Sequence, residues 1–259
     1  MHILDLFSLK GKVILVTGGA GKYGKCIVEG LAEAGGTVIS ASRNLTATQE
    51  SVKAFREKEL DVYALQVDQG DAASVIQLKE QIKKQFGKLD VFVNNAVSRP
   101  MKSYDAPMKD FAESMRVNAT GMVHLMREMT SLMIENGGGS IINIASMMGM
   151  FGPDLSNYEG TDMPTNPPPD YYFHNAGLIN LTRYWARMMA GKNIRVNCVS
   201  PGGLFNNQHP TFLANYTKKV PLGRMANQDD IKGLMVLLAS EAGAYINGEN
   251  ILMDGGMHA

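Results

Sequence analysis

Apolar residues along this chain gather in short runs without polar alternation, most of them closing on glycine, serine or asparagine. Residues 12–19 read KVILVTGG, a β-branched stretch with no polar face. Such a stretch is a strand covered on both sides, since neither side has to meet water. Residues 24–35, GKCIVEGLAEAG, change to apolar positions at helical spacing and close on Gly35. The alternation then repeats. Strand-like runs at 37–42, 61–68, 89–96, 139–146, 194–200 and 249–256 alternate with helical tracts at 46–59, 71–87, 107–135, 171–190 and 227–243. Asp71 heads the second of these tracts as a helix N-cap, its carboxylate placed to take up a free first-turn N–H. About seven strands alternating with helices predict an α/β fold, one doubly wound parallel sheet with helices on both faces. Right-handed crossovers then put every strand-to-helix loop at one edge of the sheet, where ligands bind. No linker-like composition and no internal repeat divide the chain, so residues 1–259 read as a single domain.

One segment breaks the rhythm. Residues 151–170, FGPDLSNYEGTDMPTNPPPD, are rich in Pro, Asn and Asp and separate the fifth strand from the helix that follows it. An insert of that length in a compact domain reads as a functional lid, with a plain surface excursion as the other reading.

Charge and composition act by exclusion. Lys and Arg number 25 against 25 Asp and Glu, so the formal net charge is zero. That balance offers no electrostatic ground for nucleic acid or an anionic membrane as partner. No apolar run approaches a membrane span, and residues 1–12 carry Asp5 within their short apolar stretch, unlike a signal peptide or anchor. Cys26 and Cys198 are the only cysteines, so no disulfide framework is expected and a reducing cytoplasm is. His2, His124, His174, His209 and His258 lack metal-ligand spacing, and no metal site is expected.

The loop after the first strand, TGGAGKYGKC at 17–26, carries the first candidate chemistry. Glycines permit a tight turn, let backbone approach a pyrophosphate, and leave a helix N-terminus free for the anion. Gly18, Gly21 and Gly24 have the spacing of a dinucleotide turn, with Lys22 and Tyr23 inside it. The same letters fit most of a mononucleotide loop: Gly19, four residues, Gly24 and Lys25. The next position there should hold magnesium through a hydroxyl, and here it is Cys26, whose thiol is a poor ligand for a hard cation. Taken alone, the loop leaves both readings open. At the end of the second strand stand Ser42 and Arg43, where an acid would take the ribose diol of NAD. Lacking that acid, and with Arg43 available for a 2′-phosphate and Lys22 adding charge, the sequence favours NADP(H), with NAD(H) still possible. A merely solvated Arg43 is the competing reading.

Further along, NNA at 94–96 follows the fourth strand, SMMG opens at Ser146 after the fifth, Tyr171 opens a helix reading NAGLINLTRYWA, and SPGG at 200–203 follows the sixth. This ordered set resembles the short-chain dehydrogenase/reductase family, with its Rossmann-type sheet, over essentially the whole chain. YEGT, NPP, SPGGLFNNQ and YINGEN look like sugar-modifying members: oxidoreductases of flagellin modification and nonulosonic-acid sugars, and gluconate-type polyol dehydrogenases. The resemblance implies that Tyr171 exchanges a proton with a substrate hydroxyl or carbonyl while Ser146 hydrogen-bonds the same oxygen. It also implies that Asn118 kinks a helix and holds a proton-relay water. Asp68 would lie near the adenine, Asn94 and Ala96 on the ribose side, and Pro201 and Gly202 against the cofactor. Tyr171, and not neighbouring Tyr172, is in register with Ala176-Gly177-Leu178.

Three positions depart from that pattern. Lys22 and Val97 stand where the family has glycine, and Asn175 stands where it has a lysine four residues after the tyrosine. The family lysine holds the nicotinamide ribose and, by its charge, favours ionisation of the tyrosine. Asn175 has the donor and acceptor for the first task but no charge for the second. Each unit of lost pKa depression costs about 1.4 kcal/mol, against a free tyrosine that titrates near ~10. His174 points roughly 100° around the helix from Asn175 and is not expected to substitute. Arg99, just after NNAVS, sits on a loop from which it can reach into the site. Carbonyl reduction suffers least, because it needs a neutral tyrosine. The expectation is an NAD(P)-dependent oxidoreductase with alcohol oxidation pushed to alkaline pH. The alternative is a catalytically impaired nucleotide-binding protein with a sensing or assembly role.

Asn206, Asn207, Gln208 and His209, with Asn157, Tyr158 and Asn166 on the insert, predict a pocket rim of neutral hydrogen-bond groups that suits a sugar or polyol. Met147, Met148 and Met150 are expected chiefly to pack, though they would also give an apolar, adaptable wall. The helix at 171–190 carries Leu178, Ile179, Leu181, Tyr184, Trp185, Met188 and Met189 around much of its circumference. So wide an apolar surface is buried on more than one side. The family uses this helix for assembly, so a homodimer or homotetramer is expected; burial within one subunit competes.

Overall fold

The computed structural model describes residues 2–259. Seven strands, β1 (Val13–Thr17), β2 (Thr37–Ser42), β3 (Val62–Gln66), β4 (Val91–Asn94), β5 (Gly139–Ile144), β6 (Ile194–Pro201) and β7 (Asn250–Met253), form one sheet in the order β3-β2-β1-β4-β5-β6-β7. Every neighbouring pair runs parallel. The helices are α1 (Ile3–Leu6), α2 (Lys22–Glu33), α3 (Leu45–Arg56), α4 (Ala72–Phe86), α5 (Met108–Met115), α6 (Met122–Glu135), α7 (Pro169–Met188), α8 (Pro210–Thr217) and α9 (Lys232–Ala239).

The unalternating strands have their physical reason in two separate cores. Leu15, Ile39, Phe92 and Ile141 pack with Leu78, Leu125, Met126 and Trp185 on one face. Ile14, Val16, Val38, Val93 and Ile142 pack with Ile27, Leu31, Val52 and Met235 on the other. Successive side chains point to opposite faces of a strand, so a sheet with helices on both sides needs apolar residues at both registers. Asp71 caps α4 by accepting from Ala73 N at 3.0 Å, and Gly87 ends that helix at φ 76, in the left-handed region where glycine meets no Cβ clash.

Three elements differ from the sequence reading. The tract at 107–135 is two α-helices joined by a π-helical turn, Arg116–Gly121, with Asn118 inside it. The tract at 227–243 is α-helical only over Lys232–Ala239, with a 3-10 turn at Glu241–Gly243, because Asn227 Oδ1 accepts from Asp229 N (2.9 Å) and Asp230 N (3.1 Å) and holds the preceding residues in a turn. Helix α8 lies where only a loop was expected; at eight residues it is too short to display a period, and His209 Nδ1 caps it by accepting from Thr211 N at 3.2 Å. Residues 151–170 are tied to their surroundings. Lys219 Nζ donates to Asn157 Oδ1 at 2.8 Å, Asn215 Nδ2 to Glu159 O at 2.9 Å, and Tyr104 N to Asn166 O at 3.0 Å.

Candidate active site

At the carboxyl edge of the sheet the loops enclose a cavity of about 660 Å³. Its floor begins at the glycine loop. Gly18 sits at φ 66, donates to Ala41 O at 2.7 Å and accepts from Gly21 N at 2.9 Å. A Cβ on Gly24 would collide with the Gly18 carbonyl, so the turn closes only with glycine there. Asn95, which the sequence reading passed over, secures the loop by donating from Nδ2 to Thr17 O (3.0 Å) and Gly18 O (3.2 Å). Gly21 is the N-cap of α2 and bonds no first-turn amide through a side chain, which leaves these donors for an anion. A pyrophosphate fits this turn. Cys26 donates its thiol to Lys22 O at 3.2 Å and is buried, outside the cavity wall.

Gly18, Gly21, Lys22, Tyr23, Gly24, Asn94, Ala96, Asn118, Ser146, Tyr171, Asn175, Pro201 and Gly202 all line the one cavity. Ser42, Arg43 and Asp68 lie outside its wall, at or just beyond the ends of β2 and β3 along the same edge. Asp68 Oδ1 accepts from Gly70 N at 2.9 Å. Arg43 is exposed, and among the described residues no carboxylate comes within ion-pair distance of it.

Ser146 lies two residues past β5 in extended backbone and is 6 % exposed; its Oγ accepts from Met148 N at 3.2 Å, so the hydroxyl proton is free to donate. Tyr171 stands in the first turn of α7 and lines the cavity, whereas Tyr172 does not. Burial pushes the Tyr172 phenol up to about 12. Asn175 is 3 % exposed, and its Nδ2 donates to the carbonyl of Tyr171 at 2.7 Å, within its own helix. Gly149 packs on that turn so closely that a Cβ would meet the Asn175 carbonyl carbon at 2.7 Å. Asn118 spends its side chain on the loop after β4: Oδ1 accepts from Ser98 N (2.8 Å), and Nδ2 donates to Ser98 O (2.7 Å) and Ser114 Oγ (3.0 Å). Asn94 Nδ2 donates to Asn143 Oδ1 at 3.1 Å, joining β4 to β5.

Two residues give the site its own character. The Arg99 guanidinium carbon lies 4.4 Å from the centroid of the Tyr171 ring. His174 also lines the cavity, three residues beyond Tyr171, with ring centroids 5.4 Å apart. Burial holds the imidazole neutral down to about 4, partly offset by the charge of Asp170. His174 Nε2 and Asp170 Oδ1 are both buried without a hydrogen-bond partner.

The expected polar rim is mostly absent. Of its seven residues only Tyr158 and Gln208 line the cavity. Asn157 bonds Lys219, Asn166 donates to Asp105 Oδ1 at 3.2 Å, and His209 caps α8. Met163, Phe212, Tyr216 and Met225 take their place, with Met147 and Met148, while Met150 lies outside the wall. Phe212 and Tyr216 went unnoticed because α8 did.

A protein-family model described as enoyl-(acyl carrier protein) reductase matches residues 22–258. The chain is 30 % identical to the 3-oxoacyl-(acyl-carrier-protein) reductase of Thermotoga maritima, over 96 % of this chain and 98 % of that protein. It is also 30 % identical to the 2-dehydro-3-deoxy-D-gluconate 5-dehydrogenase of Dickeya dadantii, over 98 % of each. A solved structure of gluconate 5-dehydrogenase from Burkholderia cenocepacia, in complex with NADP and tartrate, superposes with a TM-score of 0.87 at 27 % identity, covering 99 % of this chain and 98 % of that one. With near-complete mutual coverage added to the parallel sheet and the cavity at its carboxyl edge, the chain belongs to the short-chain dehydrogenase/reductase family, as an oxidoreductase of the dehydrogenase/reductase type.

Proposed function

We propose that this protein moves a hydride between NADP(H) and a sugar- or polyol-like alcohol or ketone, with Tyr171 as proton donor and acceptor. The observation that carries the reading is the convergence of Tyr171, Ser146 and the glycine loop on one cavity. The nicotinamide, when bound, supplies or accepts the hydride. In reduction the Tyr171 phenol gives its proton to the carbonyl oxygen, and the free Ser146 hydroxyl hydrogen-bonds the same oxygen. In oxidation both roles reverse. Asn175, with one amide proton on its own helix, still offers a carbonyl oxygen to a ribose hydroxyl.

The unpaired Arg43, with Lys22 on the glycine loop, supports NADP(H) over NAD(H). Gln208, Tyr158 and His174 are the polar groups available to substrate hydroxyls, and relatives named for gluconate chemistry support the sugar-like class. The apolar wall of Met147, Met148, Phe212 and Met225 would cover the hydrophobic face of a sugar ring. Assembly as a homodimer or homotetramer through α7 is part of this reading, supported by Phe173, Tyr184 and Met188, which are 64 %, 54 % and 56 % exposed on that helix. Cys26 and Cys198, both free and buried, fit a cytoplasmic location, and no helix among the described residues is long and apolar enough to cross a membrane.

The test is nicotinamide absorbance over a panel of sugars, polyols and keto-sugars, with NADP and NAD, from neutral to alkaline pH. Turnover that vanishes in Tyr171→Phe supports the reading. Tight cofactor binding without turnover anywhere on the panel would replace it with that of a catalytically silent nucleotide-binding protein.

A further inference from the structure

We propose that Arg99 supplies the positive charge that Asn175 lacks, acting on Tyr171 across the face of its ring. The inference rests on the reading of Tyr171 as acid and base. A guanidinium 4.4 Å from the ring centroid is within cation–π range. Its attraction grows when the phenol gives up its proton, because the phenolate spreads a full negative charge over oxygen and ring.

Arg99 is free to act there. Among the described residues no carboxylate lies within ion-pair distance of it, whereas Lys79, Lys83, Arg116, Lys219, Arg224 and Lys232 all have acidic partners. The cavity wall contains no Asp or Glu, and its other cation, Lys22, belongs to the glycine loop. The remaining groups around Tyr171 carry no positive charge near neutral pH. Tyr172 meets it ring to ring on α7, and Tyr23 lines the same cavity from α2. His174 is held neutral by burial. Asp170, next along α7 and 2 % exposed, is a carboxylic acid and brings no cation.

The fold also fixes where Arg99 stands. Asn118 grips the backbone N–H and carbonyl of Ser98, the residue before it, at 2.8 and 2.7 Å. The Arg99 carbonyl accepts from Lys102 Nζ at 2.7 Å. The π-helical turn that carries Asn118 thereby sets the loop, and the loop sets the guanidinium.

In alcohol oxidation the substrate O–H bond breaks and its proton goes to the Tyr171 oxygen, while the carbinol hydrogen leaves with its electron pair for the oxidised nicotinamide. The products are a ketone, reduced nicotinamide and, once the phenol has released it to solvent, one proton. Arg99 stabilises the oxygen anion that receives the proton. Reduction starts from the neutral phenol and depends on the charge less.

Three variants test this: Arg99→Met, Arg99→Lys, and Arg99→Met combined with Asn175→Lys. Arg99 is exposed, so solvent screens part of its charge; Arg99→Met should lower kcat for alcohol oxidation at neutral pH by about 3- to 10-fold, shift the rise of that rate to higher pH, and leave KM and carbonyl reduction much less affected. Arg99→Lys should keep most of the rate, and Asn175→Lys should restore most of what Arg99→Met loses. A second readout needs no cofactor: the tyrosinate absorbance removed by Tyr171→Phe should appear at higher pH in Arg99→Met. A raised KM with unchanged kcat, a loss that Asn175→Lys does not repair, or an unmoved tyrosinate component would each overturn the proposal. Turnover persisting in Tyr171→Phe would instead overturn the reading beneath it. A silent Tyr171→Phe beside a normal Arg99→Met would overturn this inference alone.

Discussion

His174 lies one turn beyond Tyr171, and its imidazole, 8 % exposed, stays neutral in the folded protein down to about 4 because burial penalises the charged form. An unfolded histidine takes up its proton near ~6.5, so between these values the unfolded state binds more protons than the folded one. Stability from this residue is therefore complete above neutrality and falls as pH drops through that window, by about 2 kcal/mol at pH 5. Urea unfolding at pH 7.5 and pH 5 should show His174→Asn losing that part of the pH dependence; an unchanged difference would mean the ring is not desolvated. At position 175, Asn175→Lys should move the alkaline limb of the oxidation profile to lower pH. The shift should be smaller beside Arg99 than in its absence, because two cations near one phenol do not act additively. An unmoved profile in both backgrounds would remove the lysine question from the mechanism. On the cofactor side, Arg43→Ala should raise KM for NADP by about 10-fold, the loss of one partly screened phosphate contact, and leave KM for NAD unchanged; initial rates with both cofactors decide it.

The glycine loop and α2 work as a unit, since the turn closes only if Gly24 can lie against the Gly18 carbonyl. Gly24→Ala should cost about 1–3 kcal/mol in denaturant unfolding, the usual penalty for overpacking, and weaken cofactor binding with it. Strands and long helices were legible from periodicity because burial writes itself into every residue of a run. The break at Asn118 came only from the family resemblance, since the π turn within the 107–135 tract leaves the apolar spacing on either side intact. Helix α8 was missed for the opposite reason, as eight residues hold too few turns to repeat a pattern. The insert at 151–170 was recognised by length and proline content. Its anchoring to the Asn215 side chain on α8 and to the Tyr104 backbone depends on residues distant in sequence.

Helix α7 links the site to the outside of the molecule. Leu178, Ile179 and Trp185 are buried in the subunit's own core, so the wide apolar surface read from the sequence is partly accounted for there. Phe173, Tyr184 and Met188 remain exposed on the helix, and a stripe of that kind favours burial against another copy. Tyr184→Glu with Met188→Glu should lower the mass measured by sedimentation from that of an oligomer to that of a smaller species. An unchanged mass would put any interface elsewhere.

Sequence alone determined the α/β class, the number of strands and the glycine turn, and its family resemblance singled out Ser146, Tyr171 and Asn175, because each rests on local periodicity or on a short motif at a strand end. It also raised the question of the missing lysine. Only the tertiary structure decided the strand order, the grip of Asn118 on Ser98, the replacement of most of the expected polar rim by Phe212, Tyr216 and methionines, and the stacking of Arg99 on Tyr171. Those contacts join residues tens of positions apart, and side-chain direction at a loop is set by what the neighbouring elements leave open.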